Sequence, residues 1–192
     1  ITDVDGRYVG RRRNARSVTV SPKVPENVVI ERGNSHDSDV LAELLIELAT
    51  DQRQHGSHLW GEDNRSQIHE TMLQHVVSGT VYVARCAEGS DAERIVGFVT
   101  FGTESGKYDQ DSFRGIIHNI YVEPEARGDR VGSALLDAAE RELESRGVDI
   151  VALQAMADNH AAISFYKQHG YTDHRIELEK PINDDPHTPG ED

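Results

Sequence analysis

Cysteine is nearly absent. The chain carries only Cys86, so an internal disulfide is excluded and the sequence reads as one suited to a reducing cytoplasm. No apolar run approaches the roughly 18 residues that a membrane-spanning helix needs, which excludes a transmembrane protein, and no membrane partner is expected. The first residues, Ile1 to Gly10, lack the apolar core of a secretory signal. Lysine is scarce as well: four Lys stand in a chain with 34 Asp+Glu against 20 Lys+Arg, a formal net charge of −14. Acid-rich, lysine-poor surfaces are typical of halophilic proteins, because screening over about 3 Å at 1 M salt removes the self-repulsion of such a charge. The plainer alternative is an ordinary acidic protein, and under either reading nucleic acid is disfavoured as a partner. There is no Gly-Lys-Ser/Thr of a P-loop, no Gly-x-Gly-x-x-Gly and no internal repeat. His55 and His58 stand at i and i+3 without a third ligand at useful spacing, so no metal is expected.

What is present suits one domain with two tails. Residues 1–25 hold Arg7, Arg11, Arg12, Arg13, Arg16 and Lys23 against Asp3 and Asp5, so 6 − 2 = +4, leaving −18 for the rest. With Pro22 and Pro25 they read as an extended basic arm that folds back on the acidic body or reaches a neighbour, and a homodimer stays open. Residues 26–180 form the expected domain. Residues 181–192, with three prolines and four acids, read as a disordered acidic tail.

Inside the domain the apolar period alternates. Asn27 to Glu31 is a β-branched run, and Asp37 to Gln54 puts Val40, Leu41, Leu44, Leu45 and Leu48 on one helical stripe. Glu62 to Val77 repeats the helical pattern through Ile68, Met72, Leu73 and Val76. Thr80 to Ala87 and Arg94 to Gly102 read as a hairpin around Glu88-Gly89-Ser90-Asp91. Strands follow at Phe113 to Val122, Val148 to Met156 and Tyr171 to Glu179, with helices at Val131 to Arg146 and Asn159 to His169. The order β-α-α-β-β-β-α-β-α-β predicts an α/β fold with a single mixed sheet flanked by helices, antiparallel at first and parallel around residues 116–156. Cys86, in a β-rich run, reads as a small buried hydrophobe.

The segment from Ile116 to Leu136 runs from a buried strand through a proline turn into a helix whose start holds Gly128, Gly132 and Ser133. Free N–H groups at a helix start form an anion site, and Arg127 and Arg130 add positive charge there. An ordinary glycine-bearing turn would look the same.

Two motifs sharpen this reading. Arg127-Gly-Asp-Arg130-Val-Gly132 resembles the Gln/Arg-x-x-Gly-x-Gly/Ala motif of the GNAT superfamily of N-acetyltransferases, with Arg130 where glycine is usual. Asn159-His-Ala-Ala-Ile-Ser-Phe-Tyr166-Lys-Gln-His-Gly170-Tyr171 resembles the family's Asn-x-x-Ala-x-x-Phe-Tyr-x-x-x-Gly-Phe/Tyr helix with its spacing kept. With its acidic surface the chain resembles haloarchaeal members in particular. The resemblance implies an enzyme that moves an acetyl group from acetyl-CoA to a primary amine of a small molecule or a protein N-terminus. It implies that the backbone of Arg127, Gly128, Asp129, Arg130, Val131, Gly132 and Ser133 holds the CoA pyrophosphate and that Ile120, Tyr121 and Val122 pair with the pantetheine. Asn159 would hydrogen-bond the pantetheine, and Tyr166, near the sulfur, would protonate the leaving thiolate. For the base, His118 on the strand and Glu123 at its end both qualify, while Gln154 stands where N-terminal acetyltransferases carry an acid. Gln154 and Arg130 also leave room for a second reading, a CoA-binding regulatory module without turnover. The stretch Thr50 to Asp63, with His55, His58 and Trp60, would line the amine site.

Overall fold

The computed structural model describes residues 25–87, 93–104 and 111–182. The basic arm before Pro25, the turn at Glu88 to Asp91 and the acidic tail beyond Ile182 lie outside them. The chain runs β1 (Val28–Arg32), α1 (Ser38–Arg53), α2 (Arg65–Val77), β2 (Val81–Cys86), β3 (Ile95–Thr103), β4 (Arg114–Val122), α3 (Val131–Ser145), β5 (Ile150–Leu153) and α4 (His160–Gln168). The five strands lie in one sheet in the order β1-β2-β3-β4-β5. The pairs from β1 to β4 are antiparallel, and β5 joins β4 in parallel.

The mixed α/β sheet is therefore as expected, with one element missing from it. The strand expected at Tyr171 to Glu179 is irregular, and every residue from Thr172 to Ile182 is exposed. Alternating apolar residues supply a strand's pattern, but the segment does not pair with β5, the four-residue strand at that edge of the sheet.

Helices cover both faces of the sheet. On one, α1 and α2 pack Leu41, Leu44, Leu45, Ile68 and Met72 against Val81, Val83, Phe98 and Tyr121. On the other, Leu135, Leu136, Ala139 and Leu143 of α3 cover Val99, Phe101 and Ile117. Phe98 and Val99, adjacent in β3 and both fully buried, face opposite layers, as the two-residue period of a strand requires. Each such side chain contributes about 1.5–3 kcal/mol on burial. Two residues of the expected stripes point outward instead: Val40 and Leu73 are 44% and 39% exposed, while Ala42, Ile46 and Ala49 take the buried side of α1. Cys86 is buried, consistent with a small core residue. Coverage thins toward the end of the chain, since α4 has no fully buried residue. No helix among the described residues is long and apolar enough to cross a membrane.

Candidate functional site

The site begins with an irregularity in β4. Against β3, Thr100 pairs with Asn119 but the next residue, Phe101, pairs with Ile117, so His118 is an extra residue in the ladder, a β-bulge. The bulge changes which side chains face which layer. Ile117 and Ile120 both face the α3 layer, whereas Tyr121 faces α1 and α2. Past the bulge the two parallel strands also part. The β4–β5 pairing ends at Ile117 with Leu153, and β4 runs on to Val122 with no strand on that side among the described residues. The backbone of Ile120 to Val122 is thus an open edge.

That edge leads into a helix start whose N–H groups are uncapped. A short turn at Pro124–Ala126 is followed by Gly128, at φ 88°, and Arg130, at φ 63°, and then by α3. The first helical bond is Ala134 N–H to the Arg130 carbonyl, which leaves the N–H groups of Val131, Gly132 and Ser133 without a helical acceptor. No side chain caps them and no acid lies in the first turn, so the positive end of the helix dipole is unopposed. Asp129 is exposed in the turn before it. Arg130 takes up the left-handed conformation that glycine would adopt without strain, so the loop keeps its shape despite the substitution in the motif. A side chain added at Gly132 would meet Phe165 at 3.6 Å and Val122 at 3.7 Å, which places β4, α3 and α4 around this one residue.

Arg127 is turned the other way. Its Nε donates to the Val122 carbonyl at 2.8 Å, its guanidinium lies 3.4 Å from Asp51, and it stands 5.7 Å from the centre of the Tyr121 ring. The charge of Arg127 therefore ties the loop to α1, leaving its backbone in the turn. Tyr121 is buried, and its hydroxyl donates to Glu47 at 2.9 Å. Burial and that carboxylate push its phenol well above the ordinary range.

The three candidates for proton transfer occupy different surroundings. Tyr166, on α4, stacks edge-on to Phe165 and Tyr171 and packs against the α3 layer. Burial pushes its phenol up to about 12, so it stays protonated at neutral pH. His118 projects from the bulge toward the other layer, with its ring 5.6 Å from that of His75 at the end of α2 and over Gly102, which makes room for it. Desolvation holds the His118 imidazole below its usual range, and burial together with His118 pulls His75 down to about 4. The His75 Nδ1 lies 2.8 Å from the Thr80 hydroxyl, which donates in turn to the His75 carbonyl. Glu123 lies beside Arg94, 3.2 Å from its guanidinium.

Asn159 caps α4: its Oδ1 accepts from Ala162 N–H at 3.0 Å, which commits the oxygen and leaves the amide NH2 for a ligand. His169 adds a tie that was not legible in the motif. Its Nδ1 donates to the Phe165 carbonyl at 2.7 Å and its Nε2 lies 2.9 Å from the Ser133 hydroxyl, fastening α4 to the start of α3. Neither His75 nor His169 could be found from sequence, because each acquires its role from a partner remote in the chain.

His55, His58 and Trp60 lie in the loop after α1. Trp60 is exposed and stacks under Arg53 at 3.5 Å, and His58 meets Glu179 at 3.1 Å. Gly56 lies close to Met156, beyond the end of β5. No group of three or more His, Cys, Asp or Glu able to hold a metal occurs among the described residues.

A family model described as Acetyltransferase (GNAT) family matches residues 42–171. An uncharacterized N-acetyltransferase of Methanocaldococcus jannaschii is 38% identical over 60 residues, which are 31% of this chain and 26% of that one. The chain spans about a quarter of the length of the curated relatives it matches. Among solved structures, a putative acetyl transferase from Pyrococcus furiosus is similar at a TM-score of 0.62 and 24% identity, over 81% of this chain and 99% of that one. An aminoglycoside N-acetyltransferase in complex with CoA is similar at a TM-score of 0.62 and 14% identity, over 81% and 95% of the two chains. At these identities the structural likeness speaks for the fold.

Proposed function

The chain belongs to the GNAT acetyltransferase family, and on that premise we propose that it transfers an acetyl group from acetyl-CoA to a primary amine of a small molecule or a protein N-terminus. The observation that carries this reading is the open edge of β4 beyond the bulge, ending on the unpaired N–H groups of Val131, Gly132 and Ser133. An extended amide chain attached to a pyrophosphate fits that arrangement: a strand edge for the amides, a helix start for the phosphates. The CoA bound to a structurally similar aminoglycoside N-acetyltransferase is a further support.

Acetyl-CoA supplies the activated acyl thioester. The N–H groups at the start of α3 and the Arg130 charge would bind its pyrophosphate, and the Ile120 to Val122 backbone and the Asn159 NH2 would orient its pantetheine. As the amine nitrogen bonds to the acyl carbon and the carbon–sulfur bond breaks, Tyr166 O–H gives its proton to the departing sulfur. Its burial among Phe165 and Tyr171 keeps that proton in place until then. His118, kept neutral by desolvation on the opposite side of β4, takes the proton the amine loses. Glu123 is the second candidate for that role, and its ion pair with Arg94 makes it the weaker one.

The discriminating experiment is thioester consumption with a panel of amines, run beside calorimetry of acetyl-CoA binding. Turnover with at least one amine, and loss of binding in Gly132→Trp, are the expected results. Binding without turnover on any amine would favour a regulatory CoA-binding module, and unchanged binding in Gly132→Trp would remove the α3 loop from the site.

A further inference from the structure

His169 stands between two helix ends of opposite sign. It closes the C-terminus of α4, where the last carbonyls form the negative end of that helix, and its ring reaches the start of α3, where free N–H groups form the positive end. The protons on the ring follow from its partners. The Phe165 carbonyl can only accept, so Nδ1, 2.7 Å away, carries a hydrogen. Nε2, 2.9 Å from the Ser133 hydroxyl, can take either role. In the neutral ring Nε2 accepts and the Ser133 O–H donates to it, which leaves only oxygen lone pairs for anything else at the helix start. In the charged ring Nε2 donates, and the Ser133 O–H is released to donate elsewhere. The Phe165 ring, whose centre lies 4.4 Å from that of His169, is the same ring that lies beside Gly132, so the imidazole is held at the loop by packing as well as by hydrogen bonds.

We infer that His169 takes up a proton when the pyrophosphate of acetyl-CoA binds at the start of α3, reversing its hydrogen bond with Ser133. This rests on the proposed cofactor site and adds a titrating residue to it. A pyrophosphate only accepts hydrogen bonds. It is repelled by the lone pairs that Ser133 presents beside a neutral His169 and drawn to the O–H that Ser133 presents beside a charged one. The anion also offsets the positive helix end that opposes an imidazolium, while the α4 carbonyls continue to favour it. From the Phe165 carbonyl through His169 and Ser133 to the phosphate, every link then has one donor and one acceptor. The proton comes from solvent, which the exposed ring reaches directly. The other charges on these elements are paired or open to water: Asp129 and Arg130 are exposed in the loop, Asp137 meets Arg141 at 2.8 Å, Glu140 accepts from Tyr171, and Lys167 meets Asp173 at 3.2 Å.

Calorimetry of the full chain in buffers of different ionisation enthalpy counts the protons bound together with the ligand. The probe is acetyl-3′-dephospho-CoA, because a phosphate monoester titrates at about pH 6 and would add protons of its own, whereas the pyrophosphate diester does not. Binding should take up part of one proton per chain at about pH 7. Affinity should therefore fall as pH rises from about 6 to about 8, by at most about tenfold per pH unit. His169→Gln, whose amide N–H can donate to Ser133 at every pH, should still bind the probe, with no proton uptake and a flat profile. Ser133→Ala should take up less of a proton than the parent, since the lone pairs that repel the phosphate are gone. Nitrogen–proton correlation spectra of the His169 ring should show the Nδ1–H tautomer in the free protein and a larger share with both nitrogens protonated in the complex at the same pH. A wild-type chain that does not bind the probe would overturn the cofactor site and this inference with it. Binding without proton uptake would overturn this inference alone, as would an uptake that survives in His169→Gln. Uptake unchanged in Ser133→Ala would overturn the reversal of the hydrogen bond.

Discussion

Single residues carry the sharpest expectations. If Tyr166 is the proton donor, Tyr166→Phe should bind acetyl-CoA normally and turn over roughly 10²–10⁴-fold more slowly, which calorimetry beside a thioester assay would read directly. A left-handed backbone costs an L residue about 1–2 kcal/mol, partly offset in glycine by the greater entropy of its unfolded chain. Arg130→Gly should therefore stabilise the fold by up to about 1 kcal/mol, seen as a melting temperature about 2–4 °C higher. His75 is a base whose folded pKa, about 4, lies below the unfolded value. Between roughly pH 6.5 and pH 4 the unfolded chain binds more protons, so stability falls as pH falls through that window. The loss should reach about 1–2 kcal/mol at pH 5, and urea titrations of His75→Gln should show a flatter profile there. His118 and Tyr166 were legible as candidates because each sits at a fixed place in a motif or a strand. The rings that lie against them, His75 beside His118 and Phe165 with Tyr171 beside Tyr166, depend on how helices pack, and no local pattern encodes that.

At the scale of elements, helices and central strands were readable because their apolar periods are long and unbroken. The first seven residues of β3 are buried between helices on both sides, and its run Ile-Val-Gly-Phe-Val-Thr-Phe-Gly-Thr hardly alternates at all. Gly97 in that run has a steric reason: a Cβ there would come 2.7 Å from the Tyr121 carbonyl oxygen and 3.3 Å from Leu135. Because backbone cannot swing aside as a side chain can, Gly97→Ala should destabilise by about 1–3 kcal/mol, measurable by thermal or urea unfolding. Gly132→Ala, whose nearest neighbours lie at 3.6 Å or more, should by contrast fold as well as the parent. The bulge at His118 escaped the sequence because it is a property of register between two strands, and an extra residue in a ladder leaves no compositional mark. The last strand shows the reverse: its alternation is plain, yet alternation alone does not pair a segment with a sheet edge, and residues 172–182 stay outside the ladder.

Across the whole molecule the net charge of −14 sets the terms. Folding compresses that charge into a smaller volume, so added salt should relieve more repulsion in the folded state than in the unfolded one. The expected outcome is a melting temperature that rises from low salt to about 1 M KCl, where the screening length is roughly 3 Å. A flat or falling curve would remove the halophilic reading and leave a merely acidic protein. Charge and mixed-sheet architecture both followed from counting and patterning, whereas the thin cover over α4 required the packed molecule. The bulge has a last consequence at this scale. By adding one residue at His118 it lets β4 stay zipped to β3 as far as Val122 while parting from β5 at Ile117, so the strand turns a bare backbone edge toward a guest without surrendering a rung on its buried side.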